Sequence, residues 1–198
     1  MNLKEFFTLL RWDWRMNKGI TFDRLRAMAL MLEVRWEQLI HRNFNRPKNP
    51  LILFWYLTRF LGSLFQWFLC ASIIPGDAKI GRGLRLPHAQ NILVSRFATL
   101  GEFCTLYQNV VVGMNGFKPD SPPVIGDMVM IGAGSVVVGD VTIGSDVIIS
   151  PGTVILRDVP SQSRVIPPTP HVLVNRGSHH LAEPGSDEHI QDPYSIWR

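Results

Sequence analysis

The chain is poor in cysteine, in charge and in the patterns that mark metal or nucleic-acid sites. Its 198 residues include two cysteines, Cys70 and Cys104, which form no CxxC pair, and six histidines without structural-metal spacing. We therefore expect a reduced protein without metal. Charged residues make up 18% of the chain, the net charge is only +4, and no basic run is interleaved with aromatics, which argues against nucleic-acid binding. The segment 1–15 is charged throughout, so we expect no secretory signal and a cytoplasmic protein.

The sequence does contain a six-residue repeat. An aliphatic residue recurs at every sixth position from Ile125 to Ile155, and a small or branched residue follows each one four places later. Extended upstream in the same phase, the repeat gives twelve hexads, which start at residues 80, 86, 94, 100, 106, 112, 125, 131, 137, 143, 149 and 155. This period fits neither a helix nor a simple strand, and it is typical of a parallel β-helix whose chain turns a corner after each short strand.

Three hexads make one triangular coil, so the repeat predicts a mainly β fold, a parallel β-helix of about four coils. We assign the β-helix to residues 76–160, a helical N-terminal region to residues 1–75, and a C-terminal cap and polar tail to residues 161–198. Glycine or a small polar residue is expected at each tight corner. Cys104 falls on an inward position, where it is expected to act as a small core residue.

Two hexads are overlong, with eight residues from position 86 and thirteen from position 112. Irregular repeats are where loops and functional residues are placed. His88 lies in the first of these hexads, at the head of a predicted column through Gln108, Ala133 and Pro151 that is about 14 Å long. Because an imidazole can accept a proton near neutral pH, His88 is a candidate general base. A surface histidine that only fills an irregular corner is the alternative.

The segments AKIGRGLRLPHAQNILVS, LYQNVVVGMNG and VIGDMVMIGAGSVVVGDVTIG resemble the serine acetyltransferase branch of the hexapeptide-repeat acyltransferases. They look still more like the short O-acetyltransferases of capsule, colanic-acid and exopolysaccharide clusters. The resemblance covers about residues 73–160. It implies a left-handed β-helix, a homotrimer, and acetyl-CoA bound as co-substrate in a groove between subunits. It also implies that His88 is the base that activates the acceptor hydroxyl.

The resemblance extends to binding positions. Those that match the family's acetyl-CoA site are Gly113, Met114, Ala133, Pro151 and Arg157. Tyr107 and Asn109 lie near the level of His88 and are candidate acceptor contacts, as are Lys118 and Asp120 in the long loop. An ordinary solvated position stays open for Arg157, and a side chain facing the core or a neighbouring subunit stays open for Tyr107 or Asn109.

Departures from serine acetyltransferases favour a different acceptor. Those enzymes carry an aspartate directly before the catalytic histidine, where this chain has Pro87, and a second one near Ser72. They carry an arginine–histidine pair where this chain has Ser121 and Pro122. A zwitterionic amino acid needs charged partners that a sugar hydroxyl does not. We therefore expect a sugar O-acetyltransferase of surface-polysaccharide biosynthesis. The alternatives are a serine O-acetyltransferase of cysteine biosynthesis and a non-catalytic β-helix scaffold.

The N-terminal region is expected to be helical. One amphipathic stripe over residues 22–43 consists of Leu25, Met28, Ala29, Leu32, Trp36 and Leu39. The segment 51–74 contains seven aromatic residues and is long enough to cross a bilayer, but Arg59 and Gln66 disfavour spanning. A helix packed on the β-helix and a helix at a membrane interface both stay open. The second would suit a lipid-linked acceptor.

Overall fold

The structure, a computed structural model, describes residues 1–18, 21–44, 52–114 and 122–168. Within these ranges the strands are short and form three parallel four-stranded sheets. The first sheet contains β1 (Lys79–Ile80), β3 (Thr99–Leu100), β6 (Val124–Ile125) and β9 (Thr142–Ile143). The second contains β4 (Thr105–Leu106), β7 (Met130–Ile131), β10 (Ile148–Ile149) and β12 (Arg164–Val165). The third contains β2 (Leu93–Val94), β5 (Val111–Gly113), β8 (Val136–Val138) and β11 (Val154–Ile155).

The strands confirm the predicted hexads and their four coils. Consecutive strands belong to different sheets, and each strand pairs with its equivalent one coil away, as Leu106 does with Ile131 and Ile131 with Ile149. The first residue of all twelve hexads is buried, and the most exposed of them, Ile80, is only 8% accessible. Burial of each such aliphatic side chain contributes about 1.5–3 kcal/mol. One apolar column therefore fills the β-helix along its length.

One column of corners departs from the expected glycine or small polar residue, because it includes Phe103 and Met128. This column has left-handed backbone at Phe103, Met128, Asp146 and Gln162, with φ between 56° and 59°. A side chain in this region costs about 1–2 kcal/mol. The cost is offset because each of these residues donates its N–H to a carbonyl of the preceding coil, at 2.8–2.9 Å. The coil-to-coil hydrogen bond thus allows residues other than glycine at these corners, whereas the first coil has Gly83 at the equivalent position.

Three helices precede the β-helix: α1 (Leu3–Asn17), α2 (Phe22–Phe44) and α3 (Ile52–Phe65), the last continuing as a π-helical turn, Gln66–Cys70. The Asn2 side chain caps α1 by accepting from the Glu5 N–H at 2.8 Å. Helix α2 contacts both α1 and α3. The helices therefore form one layer over the first coil.

The buried face of α2 overlaps the predicted apolar stripe only near its end, where Leu39 is 8% exposed. Leu25, Leu32 and Trp36 are 49%, 49% and 41% exposed. The face that packs inward is rotated from them and contains apolar residues together with the buried Arg35 and Gln38. The reason is that α2 packs on backbone groups at the open end of the β-helix, and those groups require polar partners.

Polar side chains of the helical region complete the hydrogen bonds of the first coil. The Gln66 amide pairs with both the N–H and the carbonyl of Ile74, as a neighbouring strand would. Gly76 N–H donates to Glu37, and Gln38 donates to the Ala78 carbonyl. Arg35 donates to the carbonyls of Ile80 and Gly81. These contacts cap an edge that would otherwise be open.

The cap continues with two residues of α1. Asp13 accepts from the N–H groups of Gly83 and Leu84 and forms a buried ion pair with Arg35 at 2.7 Å. Asn17 donates to the Leu84 carbonyl at 2.7 Å and accepts from the Leu86 N–H at 2.8 Å. The end of α1 therefore holds the segment that leads directly into His88.

Met1–Pro167 forms one compact unit, which contains all of these elements, and Pro168–Arg198 forms a second. The polar tail lies outside the described residues. Among the helices of the described ranges, none is both long and apolar enough to cross a membrane.

Candidate active site

His88 lies in an insertion of the first coil. The parallel β-bridge between Arg85 and Thr105 sets the next residue, Leu86, level with Leu106 of the following coil. Further along, the N–H of Asn109 donates to the Gln90 carbonyl at 3.1 Å. This register places Gln90, rather than His88, level with Gln108, so the predicted column is corrected by two residues. The two extra residues form a tight turn closed by the Gln90 N–H and the His88 carbonyl, 2.8 Å apart. The imidazole therefore projects from the corner, with its side chain 51% exposed.

An aspartate from α2 contacts this imidazole. Asp23 stands in the first turn of α2, and its Oδ2 lies 2.9 Å from Nδ1 of His88. A carboxylate only accepts hydrogen bonds, so Nδ1 carries the proton in the neutral imidazole. The other ring nitrogen, Nε2, is then left with its lone pair. This is the arrangement of a base oriented by a carboxylate.

A cleft of about 290 Å³ opens beside the pair. The end of α1, the first turn of α2 and the segment 85–88 form its walls. The exposed Arg85 lines it, and its guanidinium has no hydrogen-bond or ion-pair partner among the described residues. Arg24 also lines it and donates to the Lys18 carbonyl. The cleft thus combines a proton acceptor, a carboxylate and two cations.

The positions matched to the acetyl-CoA site lie along one sheet. Ala133 and Pro151 occupy equivalent corners on successive coils, linked by the Gly152 N–H, which donates to the Ala133 carbonyl at 2.9 Å. These corners lead into the sheet of β2, β5, β8 and β11. Gly113 pairs with Val138 at the far end of that sheet. Met114 follows Gly113, and Arg157, which is exposed, leaves the same sheet two residues after β11.

The corner next to Ala133 and Pro151 is open. Gly134 and Gly152 have φ of 68° and 70°, and a Cβ added to either would meet no atom within 4 Å. The amide oxygen of Gln108, one coil earlier, is buried and has no hydrogen-bond partner among the described residues. This corner has space and polar capacity for a ligand or a second subunit.

The candidate acceptor residues have different surroundings. Tyr107 is half-buried and lies one residue past β4. Asn109 is exposed with φ of 59°, and its Oδ1 accepts from the Asn91 amide at 3.0 Å. The Asn109 side chain therefore already supports the corner. Lys118 and Asp120 lie outside the described residues.

The sequence prediction missed Asp23, Arg24 and Arg85. Asp23 and His88 are separated by 65 residues, and nothing in the hexapeptide rhythm links the start of a helix to one corner. The only local signal was an acidic residue in a first helical turn, which is common because it complements the helix dipole.

The two cysteines are not part of this site. Both are buried and free. Burial raises the pKa of the Cys104 thiol to about 11 and also raises the pKa of Cys70. The described ranges contain no group of three or more His, Cys, Asp or Glu side chains that could hold a metal ion.

Comparisons with known proteins identify a family model and similar sequences. The family described as Bacterial transferase hexapeptide (six repeats) matches residues 122–157. Serine acetyltransferase of Staphylococcus aureus strain Mu50 is 32% identical over 164 residues, which cover 82% of this chain and 73% of the relative. Serine acetyltransferase of Helicobacter pylori strain 26695 is 35% identical over 92 residues, or 46% of this chain and 53% of the relative.

Solved structures share the fold. Entamoeba histolytica serine acetyltransferase isoform 3, in complex with cysteine, has a TM-score of 0.71 and 21% identity and covers 87% of this chain. Neisseria gonorrhoeae serine acetyltransferase, in complex with serine, has a TM-score of 0.68 and 22% identity and covers 83% of this chain. The matched regions span 62% of the Entamoeba chain and 67% of the Neisseria chain.

The repeat, the left-handed parallel β-helix and the relatives define a hexapeptide-repeat acyltransferase. Within that class, the extent and identity of the Staphylococcus match show that the chain belongs to the serine acetyltransferase family.

The prediction of a saccharide acceptor and of a role in polysaccharide biosynthesis is wrong, because these relatives are serine acetyltransferases. That prediction depended on charged residues that the chain lacks at Pro87 and in the long loop. The structure shows charged groups at the cleft that the sequence pattern did not indicate, since a helix distant in the sequence brings Asp23 and Arg24 there.

Proposed function

We propose that this protein transfers an acetyl group from acetyl-CoA to the hydroxyl of L-serine, with His88 as the general base. The observation that supports this most is the pair formed by His88 Nδ1 and Asp23 Oδ2, 2.9 Å apart, at a cleft lined with cations. The family relatives named as serine acetyltransferases support the acceptor.

In the proposed reaction the Nε2 lone pair of His88 accepts the proton of the serine hydroxyl. The hydroxyl oxygen attacks the thioester carbonyl, the new C–O bond forms, and the C–S bond breaks. The proton on His88 then passes to the departing thiolate, which gives free CoA and O-acetylserine. Asp23 keeps Nδ1 protonated and so presents Nε2 to the substrate, while the shared cleft provides proximity.

The same cleft suits a zwitterion. Asp23 contacts His88 through Oδ2, so its second carboxylate oxygen, Oδ1, can accept a hydrogen bond from an ammonium group. The guanidinium of Arg85 suits a carboxylate, because its fork of N–H donors matches two carboxylate oxygens. These residues replace the charges that the chain lacks at Ser72, Pro87 and Ser121.

We place acetyl-CoA along the corner and sheet that hold Ala133, Pro151, Gly113, Met114 and Arg157. The open space beside Gly134 and Gly152 supports this placement, as does the exposure of Arg157, which suits a CoA phosphate. Tyr107 and Asn109, on either side of Gln108, remain candidate acceptor contacts, as do Lys118 and Asp120.

We further propose a homotrimer, in which a second subunit completes the groove at this corner. In this arrangement residues 76–160 supply the catalytic β-helix. Residues 1–75 cap its first coil and supply Asp23. The β-helix runs past residue 160, because β12 (Arg164–Val165) still pairs with β10.

The test is acceptor-dependent release of CoA from acetyl-CoA, with the product identified by mass spectrometry. L-serine, N-formyl-L-serine and L-serine amide would be compared as acceptors. We expect turnover with L-serine, and a loss of about tenfold or more in kcat/KM when either charge is removed, since a hydrogen bond to a charged group contributes about 1.5–3 kcal/mol and about 1.4 kcal/mol is tenfold. Equal turnover of all three acceptors, or none with L-serine, would contradict the proposal.

A variant pair tests the carboxylate partner. Arg85→Met should raise KM for L-serine about tenfold with a smaller effect on kcat, because it removes a binding contact and not the base. Arg164→Met, at an exposed position of the last coil, is the matched control and should leave both constants unchanged. If both variants behave alike, Arg85 has no role in acceptor binding.

A further inference from the structure

The three N-terminal helices expose many large apolar side chains. The most exposed on α1 and α2 are Leu3, Phe7, Trp14, Phe22, Leu25, Leu32 and Trp36, each at least 41% accessible. On α3 and its π-helical turn they are Leu53, Phe54, Tyr56, Leu57, Phe60, Leu61, Trp67 and Phe68, each at least 50% accessible. Scattered exposed apolar residues are ordinary, but a continuous set on neighbouring helices marks an interaction surface.

Helix α2 shows that this surface is not a by-product of core packing. Its inward face already contains Ala27, Leu30 and Met31, all at most 1% exposed. The stripe with Leu32 and Trp36 is a second apolar face on the same helix. A helix that only caps the β-helix needs one buried face, so the second face indicates another contact.

The charge of the helical region identifies the kind of partner. Residues 1–74 contain eleven basic and five acidic residues, a net charge of +6, whereas residues 75–198 contain nine and eleven, a net charge of −2. Two helical regions facing each other would bring like charges together. An anionic surface would instead be attracted to this region.

Helix α1 carries apolar residues and basic residues at the same place on its surface. Lys4, Arg11 and Arg15 share a groove on its surface with Phe7 and Trp12. The three basic residues are exposed. An amphipathic helix with basic and aromatic residues suits the boundary between lipid head groups and acyl chains.

The exposed aromatic residues favour the same setting. Trp14, Trp36, Tyr56 and Trp67 are all more than 40% exposed and are distributed over the whole helical layer. Tryptophan and tyrosine are enriched where a membrane meets water, because their rings are apolar and carry one polar group. We propose that the layer of α1, α2 and α3 is a docking surface for an anionic lipid bilayer and lies on it without crossing it.

The test is co-sedimentation of the full chain with vesicles. Mixed phosphatidylcholine–phosphatidylglycerol vesicles would be compared with vesicles of phosphatidylcholine alone, at low and high salt. We expect binding to the anionic vesicles to be at least about tenfold tighter, and to weaken as salt screens the charge. Equal binding to both lipids would overturn the electrostatic part of the proposal, and no binding to either would overturn it altogether.

Variants locate the surface. Phe60→Glu and Phe68→Glu, at positions 61% and 80% exposed, should each reduce vesicle binding about tenfold or more, since a charge replaces an inserted ring. Ile166→Glu, at a position 70% exposed on the β-helix, is the matched control and should bind as the unmodified protein does. All three should retain acetyl transfer, which shows that they fold. A control that loses binding equally would contradict the assignment.

Light scattering separates a bilayer from a second copy of the chain. If Phe68→Glu lowers the mass of the assembly while vesicle binding is absent in every variant, the helical layer is a protein–protein interface and the lipid proposal is wrong. This inference does not depend on the acceptor. Failure of serine acetylation would leave vesicle binding unaffected, and failure of vesicle binding would leave acetylation unaffected.

Discussion

At the scale of single residues, the pair of His88 and Asp23 determines what the cleft can do. A histidine at a half-exposed corner is an ordinary surface group until something fixes its tautomer and direction. The contact of 2.9 Å with the Asp23 carboxylate fixes both. His88 itself could be predicted, because it interrupts a regular repeat. Asp23 could not, because the first turn of a helix gives no sign of the corner that it will face.

Asp23→Asn tests the orienting contact. The asparagine amide can donate to Nδ1 and so favours the tautomer with the proton on Nε2, which cannot act as a base. We expect kcat to fall about a hundredfold or more, by analogy with other oriented histidine bases. Steady-state kinetics with L-serine measure this.

The matched control is Asp146→Asn, at an exposed left-handed corner of another edge of the β-helix. Asparagine tolerates that backbone well, so the rate should be unchanged. If Asp23→Asn raised KM for serine and left kcat intact, Asp23 would bind the acceptor without orienting the base.

Cys104 is predicted to be chemically inert in the folded protein. Burial raises the pKa of its thiol from 9.0 to about 11, so the reactive thiolate is scarce at neutral pH. A disulfide reagent added to native protein at pH 8 should detect almost no thiol, and after denaturation it should detect two. Rapid reaction in the native state would show that the cysteine positions are accessible.

The raised pKa of Cys104 also predicts how the free energy of unfolding changes with pH. Between about pH 9 and pH 11 the thiol of the unfolded chain loses its proton while the buried thiol of Cys104 keeps it. The unfolded state then binds fewer protons, so the free energy of unfolding falls as pH rises through this window. Cys104→Ala should remove that part of the pH dependence in urea denaturation.

At the scale of elements, the strands were predictable and the packing of the helices was not. A strand of the β-helix is specified by its own hexad, since the inward residue and the corner lie within six positions. The buried face of α2 is specified by the unpaired backbone of residues 74–86, which no local pattern shows. For that reason the apolar stripe through Leu32 and Trp36 indicated a helix but not the side on which it packs.

The ion pair of Asp13 and Arg35 is predicted to stabilise the junction of helices and β-helix. The two side chains are 1% and 0% exposed, and both also bond to the backbone of the first coil. Asp13→Asn leaves a buried arginine without its counter-charge, so we expect a loss of about 3 kcal/mol in the free energy of unfolding. Urea denaturation at fixed protein concentration measures it.

Asp158→Asn is a control at an exposed aspartate that also accepts a backbone hydrogen bond, from the Thr142 N–H at 2.7 Å. An asparagine oxygen can accept the same bond, and no buried cation depends on the charge. A change of no more than about 0.5 kcal/mol is expected. Equal losses in the two variants would mean that the buried charge pair has no special role in the cap.

At the scale of the whole molecule, the helical layer and the β-helix both contribute residues to one cleft. The β-helix provides the corner that holds His88 and the sheet on which we place the acyl donor, while the layer provides Asp23 and closes the first coil. The two parts also differ in charge, which the total of +4 does not show: the helical region is basic and the rest of the chain is slightly acidic. Fold class and family were readable from the repeat. The charged lining of the cleft was not, because its residues come from both regions.

The proposed trimer predicts a mass close to three times the 22.5 kDa of one chain. Light scattering coupled to size exclusion measures it directly. A monomer with full activity would contradict the proposal that the groove at Ala133 and Pro151 is completed by a second subunit.

The most direct test of the central claim compares His88→Ala with the unmodified protein in serine-dependent release of CoA. We predict a loss of at least about a hundredfold in kcat, since a general base contributes at least that much. His41→Gln, which changes a half-buried histidine paired with Asp77 outside the cleft, should retain the rate. If His88→Ala released CoA and formed O-acetylserine as fast as the unmodified protein, His88 would not be the base and the account of the site would be wrong.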